Sequence, residues 1–593
     1  MYLAKLKLWN FRKFGSENEF DLDNPHLEVD FTEGLNVLIG PNDSGKTAII
    51  DSIKHVLKTH SSEYIRLTVD DFYNKENRLR IECIFEDLND EEAKHFLKWL
   101  GVEEQENGED RVYLRVFLDA EKKDGEIMSY EIKAGVEDEG YRLVGGARKY
   151  LRTTYLKPLR NAKEELVSKR GSRLSQILRG HKIFKDEENR EELVKKFEDF
   201  SEKIKDYFEE GEGEGPIKDK LEDFLLDFFG EKRGANLSIP DRDFKEIIEN
   251  LELSLEEEKL GLGSHNLLFM AAELLNLRKN DWDGLRLGLI EELEAHLHPQ
   301  SQLRMVKTLE DKSNVQFVLT THSPNLASKI DLKNLIICGN SINTDDNSDI
   351  KETEGLDKKT KKPEVFPIGP KDSSFTKLKP NDYKFLERFL DVTKSNLFFS
   401  EGVIMVEGWS EELLIPAIAK HKGLSLTKQG ITVVNVAGTS FLRYSKIFQR
   451  KELNKGILDI PVSVVRDLDI KQENKDEYKQ KVNERREEFD GQLVETFCSI
   501  KQNLEYSLAR SEILGSEFKE VVKDIHSGTD WSNFTEKLKE KGSDFLNKTE
   551  IAYRLAQRIE EDHEEEREID FEDYKSDSIS YIIDAIKYAS REY

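Results

Sequence analysis

Gly40-Pro41-Asn42-Asp43-Ser44-Gly45-Lys46-Thr47 fits the pattern G-x-x-x-x-G-K-[ST] in full and follows the apolar run Leu35-Asn36-Val37-Leu38-Ile39. Beyond it, Ile49, Ile50, Ile53, Val56 and Leu57 recur at helical spacing. Strand, loop and helix in that order are what such a loop needs. Its backbone N–H groups and the helix N-terminus surround phosphate oxygens. Asn42 and Gly45 belong to this cradle, Lys46 reaches the β- and γ-phosphates, and Thr47 offers a hydroxyl to Mg²⁺. The segment reads as an ATP site.

Three further segments extend that reading. Leu287-Gly288-Leu289-Ile290 is a strand that ends in Glu291-Glu292. Glu291 suits Mg²⁺ coordination, directly or through water, and Glu292 suits polarising an attacking water. Thr320-Thr321-His322-Ser323-Pro324 caps the next strand and places His322 to sense a γ-phosphate. Gly261-Leu262-Gly263-Ser264-His265-Asn266 lies just before a helical run. In ABC-type ATPases a signature segment at this place, here Gly263 and Ser264, contacts the γ-phosphate held by another head. His296 and His298 follow the acidic strand and read as parts of a packed loop rather than as metal ligands.

A second set of acids lies far downstream. Glu407 ends the apolar strand Val403-Ile404-Met405-Val406, and Glu411 follows one helical turn later on the same face. Asp467 and Asp469 follow Pro461-Val462-Ser463-Val464-Val465, and their i, i+2 spacing sends both side chains to one side of an extended segment. Converging hard oxygen ligands suit Mg²⁺ or Mn²⁺. Two such ions activate water and stabilise the leaving oxygen in phosphodiester cleavage.

Between these sets the chain changes texture. Residues 161–235 are charge-rich, with Phe197, Phe200, Ile204 and Phe208 at helical spacing and a break at Gly211-Glu212-Gly213-Glu214-Gly215-Pro216. They read as a helical insertion, with a role in dimerisation. The ATPase would then occupy 1–160 and 236–380, and the second domain 398–593. Residues 339–364, rich in Asn, Asp, Thr and Lys, read as a loop or linker.

Composition sets bounds. At 593 residues and 37% hydrophobic content the chain supports two or more packed cores, while 35% charged residues give a well-solvated surface. The net charge of −28 excludes a general polyanion binder, so a nucleic acid must be met by a local basic groove or through metal. The three cysteines, Cys83, Cys338 and Cys498, form no C-x-x-C pair, which speaks against a zinc finger or disulfide scaffold and for a reducing cytoplasm. The strand-like opening leads us to expect no signal peptide, and the apolar stretch near 267–277 is far short of a membrane span.

The acid pattern resembles the Toprim fold, which uses one Glu after a first strand and Asp-x-Asp after a later one. ABC-type ATPase followed by Toprim resembles the OLD (overcoming lysogenization defect) family of nucleases, which includes the Gabija nuclease. The likeness covers nearly the whole chain. Besides the segments above it includes Asn10-Phe11-Arg12, Leu156-Lys157-Pro158-Leu159-Arg160, Arg173-Leu174, Glu291-Glu292-Leu293-Glu294, Glu407-Gly408-Trp409-Ser410-Glu411 and Gly438-Thr439. It implies that Glu505, in Leu504-Glu505-Tyr506-Ser507-Leu508, is a further metal ligand, with Ser507 standing where the family often has an acid. It also implies that Lys548, in Lys548-Thr549-Glu550-Ile551-Ala552, is the catalytic lysine.

The expected fold is therefore α/β: an ABC-type P-loop head with a helical insertion, then a Toprim-like nuclease domain. The expected activity is ATP-regulated, Mg²⁺- or Mn²⁺-dependent cutting of DNA in antiphage defence. Glu407, Asp467, Asp469, Lys548 and Glu292 are the expected catalytic residues. A homodimer or higher homo-oligomer is expected, with a helicase-like or retron partner and no membrane. The alternative is a non-cutting ATPase scaffold resembling SMC or Rad50 proteins. The short insertion and the intact acid set disfavour it.

Overall fold

The computed structural model describes residues 1–593 except 61–64, 75, 105–109, 159–165, 170–171, 181, 211–218, 220, 224, 227–230, 232–241, 256–260, 275–276, 278–283, 312–313, 343–360, 370–374, 454–455, 469–474, 500–501, 542–544, 566–568 and 593. Among the described residues the strands form sheets of eight, seven and four strands.

The first sheet is antiparallel. Tyr2–Trp9 lies between Leu27–Asp30 and Arg78–Glu86, and Asp110–Lys123 continues it. Ala4, Leu6 and Leu8 alternate along its first strand and are all buried. Leu6 and Leu8 join a core with helix Lys46–Leu57, whose Ile49, Ile50, Ile53, Val56 and Leu57 are fully buried. Asn10 to Phe14 form a tight turn, with Phe11 and Phe14 exchanging backbone hydrogen bonds of 2.9 Å.

The second sheet runs Thr154–Leu156, Leu287–Ile290, Gln316–Thr320, Leu35–Ile39, Leu335–Ile342, Lys361–Pro367. All neighbours are parallel up to Leu335–Ile342, and Lys361–Pro367 is antiparallel to it. Parallel strands buried on both faces read as near-continuous apolar runs, as Leu35–Ile39 does apart from Asn36. They also send their carboxyl ends to one edge, which is where ligands bind in such sheets.

The loop expected over 339–364 is corrected in its described parts. Gly339 to Ile342 complete one strand and Lys361 to Glu364 begin the next, paired in antiparallel register. Half-exposed strands carry polar residues, so Asn340, Lys361 and Lys362 hid the pattern.

The insertion contains helices Arg173–Gly180 and Glu187–Glu210, while the Gly211–Pro216 break lies outside the described residues. Arg173 anchors it through a buried two-pronged ion pair with Glu273, on helix Leu262–Leu274. Phe200 is 54% exposed on the longer helix, which leaves apolar surface there.

The third sheet is parallel throughout, in the order Ile431–Asn435, Gly402–Val406, Val462–Arg466, Val494–Cys498. Ile404 and Val406 face one core with helices Trp409–His421, Leu504–Arg510, Lys548–Glu565 and Ser580–Ser590. Val403 and Met405 face the opposite way, into a core that also holds Val37 and Ile39 of the second sheet. Ile457–Leu458 pairs with Ser341 and Ile342, tying the two sheets further. Among the described residues no helix is long and apolar enough to cross a membrane.

Candidate functional site

Three adjacent strands of the second sheet end side by side, and their next residues are those singled out in the sequence. Leu35–Ile39 leads into the Gly40–Gly45 loop, Leu287–Ile290 into Glu291-Glu292, and Gln316–Thr320 into Thr321-His322. The loop needs its glycines. Gly40 has φ 140° and Gly45 φ 106°, and a Cβ on Gly40 would lie 2.3 Å from the Cys338 carbonyl oxygen. Lys46 is buried and donates to the carbonyls of Gly40 (2.9 Å) and Pro41 (2.7 Å) and to Ser44 Oγ (3.0 Å). Burial pushes its pKa below the usual lysine value. A chelated, buried ammonium already sits among oxygens, the environment that phosphate would supply. Asn42 and Thr47 lie exposed at the rim.

Glu291 is buried, accepts from Tyr155 Oη at 2.8 Å and hydrogen-bonds the Thr47 side chain. Burial raises its pKa, and these two hydrogen bonds act against that rise. Glu292 is exposed, with a left-handed φ of 47°, and its N–H donates to Thr320 Oγ1 at 3.1 Å. The turn sends neighbouring carboxylates to different places, one beside Thr47 and one outward. Burial and then Lys46 lower the pKa of His322, whose N–H donates to Glu294 Oε1 at 2.6 Å. Gly263 and Ser264 begin helix Leu262–Leu274, and a Cβ on Gly263 would come within 2.7 Å of the His296 carbonyl oxygen. His296 and His298 are both exposed, and His298 caps helix Pro299–Glu310 by accepting from Gln300 N–H at 3.3 Å.

The third sheet repeats the arrangement with acids. The neighbouring strands Gly402–Val406 and Val462–Arg466 end at Glu407 and Asp467. The next strand, Val494–Cys498, leads to helix Leu504–Arg510 and its buried Glu505. Leu468 N–H donates to Ser499 Oγ at 3.1 Å, which holds these two strand ends in step. Asp469 lies outside the described residues.

Burial first, then Glu411, Glu505 and Glu407, raise the Asp467 pKa well above the aspartate value. Burial likewise raises that of Glu411, with Glu505 adding to the effect and Lys548 opposing it. Mutual repulsion means these acids share one region. Each also has a cationic or backbone partner. Glu407 pairs with Arg466 Nε (3.4 Å), Glu505 with Lys548 Nζ (3.4 Å), Glu411 with backbone including Gly408, and Asp467 with the Leu504 backbone. Among the described residues no three acidic, His or Cys side chains close into a ready-made ion cage. The donor set is nonetheless the hard-oxygen set that Mg²⁺ or Mn²⁺ takes. Glu505 Oε2 is buried without a hydrogen-bond partner, an unspent acceptor.

Sequence reading missed Tyr155, Arg466 and the Glu294–His322 contact. Arg466 is 2% exposed, bridges Glu407 and Glu488, and is preceded by a run of apolar residues that signals its burial. Tyr155 carried no such signal, since its partner is distant in sequence.

Residues 1–133 and 146–327 match the AAA ATPase domain family, and residues 398–469 match the overcoming lysogenization defect protein-like TOPRIM domain. The chain belongs to the AAA ATPase domain family and carries an OLD-like TOPRIM domain. It is 23% identical to Endonuclease GajA of Bacillus cereus (strain HuB5-5), covering 95% of this chain and 94% of that protein. It is 23% identical to the OLD nuclease of Thermus scotoductus, over 75% of this chain and 80% of that one. A shorter match, 31% identical over 21% of this chain and 23% of the other, is to the Retron Ec83 probable ATPase of Escherichia coli. The ATPase and TOPRIM domains together imply nucleotide and divalent-metal use.

Proposed function

We propose that this protein is an ATP-regulated, divalent-metal-dependent DNA endonuclease of antiphage defence. The observation that carries the reading is the gathering of Glu407, Glu411, Asp467 and Glu505 at the carboxyl edge of one parallel sheet, with Lys548 paired to Glu505. The full-length likeness to an endonuclease supports it.

In this reading Glu407, Glu411, Asp467, Asp469 and Glu505 hold Mg²⁺ or Mn²⁺. When bound, the metal supplies an activated water and a stabilised leaving oxygen. Lys548, 39% exposed, is free to turn from Glu505 towards the phosphate and offset charge that grows in the transition state. Arg466 fixes the Glu407 carboxylate from the buried side.

In the nucleotide site, Asn42, Gly45 and Lys46 hold ATP phosphates, and Thr47 with Glu291 holds its Mg²⁺. Glu292 orients the attacking water and His322 senses the γ-phosphate. Gly263 and Ser264 complete the site of a second head. Such a chain works as a homodimer or higher homo-oligomer. A helicase-like or retron partner completes the reading, and the likeness to a retron ATPase supports the retron one.

The test is incubation of supercoiled plasmid with the protein in Mg²⁺, Mn²⁺ or EDTA, with and without ATP. Nicked or linear product in metal, absent in EDTA and altered by ATP, is expected. Intact plasmid under every condition would favour the non-cutting scaffold.

A further inference from the structure

One tyrosine hydroxyl stands without a partner beside the acid cluster. Tyr581 lies in the first turn of helix Ser580–Ser590 and is 5% exposed. Its Oη is buried and makes no hydrogen bond. A phenol hydroxyl is a donor, and Asp467, Glu411 and Glu505 are among the charges it meets, after burial as the first influence on it.

The helix is pinned where it is. Ser463 Oγ donates to the Ala585 carbonyl (2.7 Å), and Ser578 Oγ to the Ser507 carbonyl (2.6 Å). Asp577 Oδ2 accepts from the N–H groups of Glu512 (2.7 Å) and Ile513 (3.2 Å). These bonds hold the helix and the residues just before it against the Asp467 strand and the Glu505 helix. A buried hydroxyl without an acceptor forfeits the hydrogen bond it makes in water, at a cost in stability. That cost is recovered when an acceptor is brought within reach, and carboxylates are the acceptors nearby. Ser507 Oγ, also buried and unpartnered, lies on the same helix as Glu505.

We propose that Tyr581 is a positioning residue of the metal site: its hydroxyl donates to the Asp467 carboxylate when that group turns to hold the divalent ion. One carboxylate oxygen is then fixed by the phenol and the other is aimed at the metal. Partners of metal ligands act in this way, and their loss costs about 10–100-fold in metal affinity. The inference rests on the metal-holding role given to the acids above.

The experiment is Mn²⁺ titration of the full-length protein without nucleotide, followed by electron paramagnetic resonance, together with thermal melting in EDTA. Wild type, Tyr581→Phe and Asp467→Asn are compared. Tyr581→Phe is expected to bind Mn²⁺ about 10-fold more weakly while melting in EDTA no lower than wild type, because it loses an unpaired hydroxyl. Wild-type affinity in Tyr581→Phe, with weakened binding in Asp467→Asn, would overturn the tyrosine role alone. Mn²⁺ binding indifferent to Asp467→Asn would overturn the metal reading and this inference with it. A Tyr581→Phe protein that unfolds or melts below wild type in EDTA would also overturn it, since the hydroxyl would then already have an acceptor in the metal-free fold.

Discussion

At the scale of single residues, the two sites differ in how their charges are balanced. Lys46 is a buried cation among three oxygen acceptors, in keeping with the phosphate role proposed for it. Lys46→Ala is expected to lose roughly two orders of magnitude in ATP affinity, from about 3 kcal/mol of charge-assisted hydrogen bonding. Calorimetric titration with a non-hydrolysable ATP analogue measures it, and unchanged affinity would remove Lys46 from the site. Asp467 presents the opposite case, an anion among anions. Its folded pKa is raised by burial and by its neighbours, so the folded protein holds a proton that the unfolded chain releases. Stability from this group therefore increases as pH falls through the raised value towards the unfolded one, and the penalty is complete above the raised value. Metal-free Asp467→Asn should accordingly melt higher than wild type at neutral pH, with the gap closing on acidification. Melting curves in EDTA across pH check this, and a gap that widens in acid would refute the sign. Lys46 and Asp467 were legible because each follows an apolar strand. Tyr581 was not, because a tyrosine in an amphipathic helix carries no mark of the acids that its hydroxyl will face.

At the scale of elements, both sites arise from one rule: parallel strands deliver their carboxyl ends to a common edge. Apolar runs at Leu35–Ile39, Leu287–Ile290, Gly402–Val406 and Val462–Arg466 were readable as strands, and so the residues after them were readable as candidates at the strand ends. The strands Leu335–Ile342 and Lys361–Pro367 were less readable because their paired polar ends interrupt the apolar signal. Close approach of elements was likewise invisible. Gly402 packs against helix Ser580–Ser590 so tightly that a Cβ would lie 2.4 Å from the Ala589 carbonyl oxygen. The obstacle is backbone, so the helix itself must move. Gly402→Ala is expected to destabilise the protein by about 1–3 kcal/mol and to shift the helix that carries Tyr581. Urea unfolding measures the first effect, and a neutral substitution would show that the helix is not held rigidly.

At the scale of the molecule, nucleotide and acid sites stand on two sheets that share a core. Val37 and Ile39 beneath the phosphate loop, and Val403 and Met405 beneath Glu407, belong to the same apolar cluster. Arg450 adds a polar tie: it is buried, its Nη1 donates to the Pro367 carbonyl at 2.8 Å, and burial pushes its pKa down to about 10. The two edges are thus joined through packed side chains. If Gly263 and Ser264 serve a second head, as proposed, assembly follows, and closed two-fold pairing is the commonest solution. Light scattering at micromolar concentration should give twice the chain mass. A single-chain mass with and without ATP, together with ATP turnover unchanged on dilution, would contradict the composite site. The acids after Gly402–Val406 and Val462–Arg466 are proposed to do the cutting. Supercoiled plasmid cleavage by purified Glu407→Ala in Mg²⁺ or Mn²⁺, with ATP binding measured on the same sample, decides this. No nicking is expected, with ATP affinity intact. Nicking at the wild-type rate would remove the acids from the reaction.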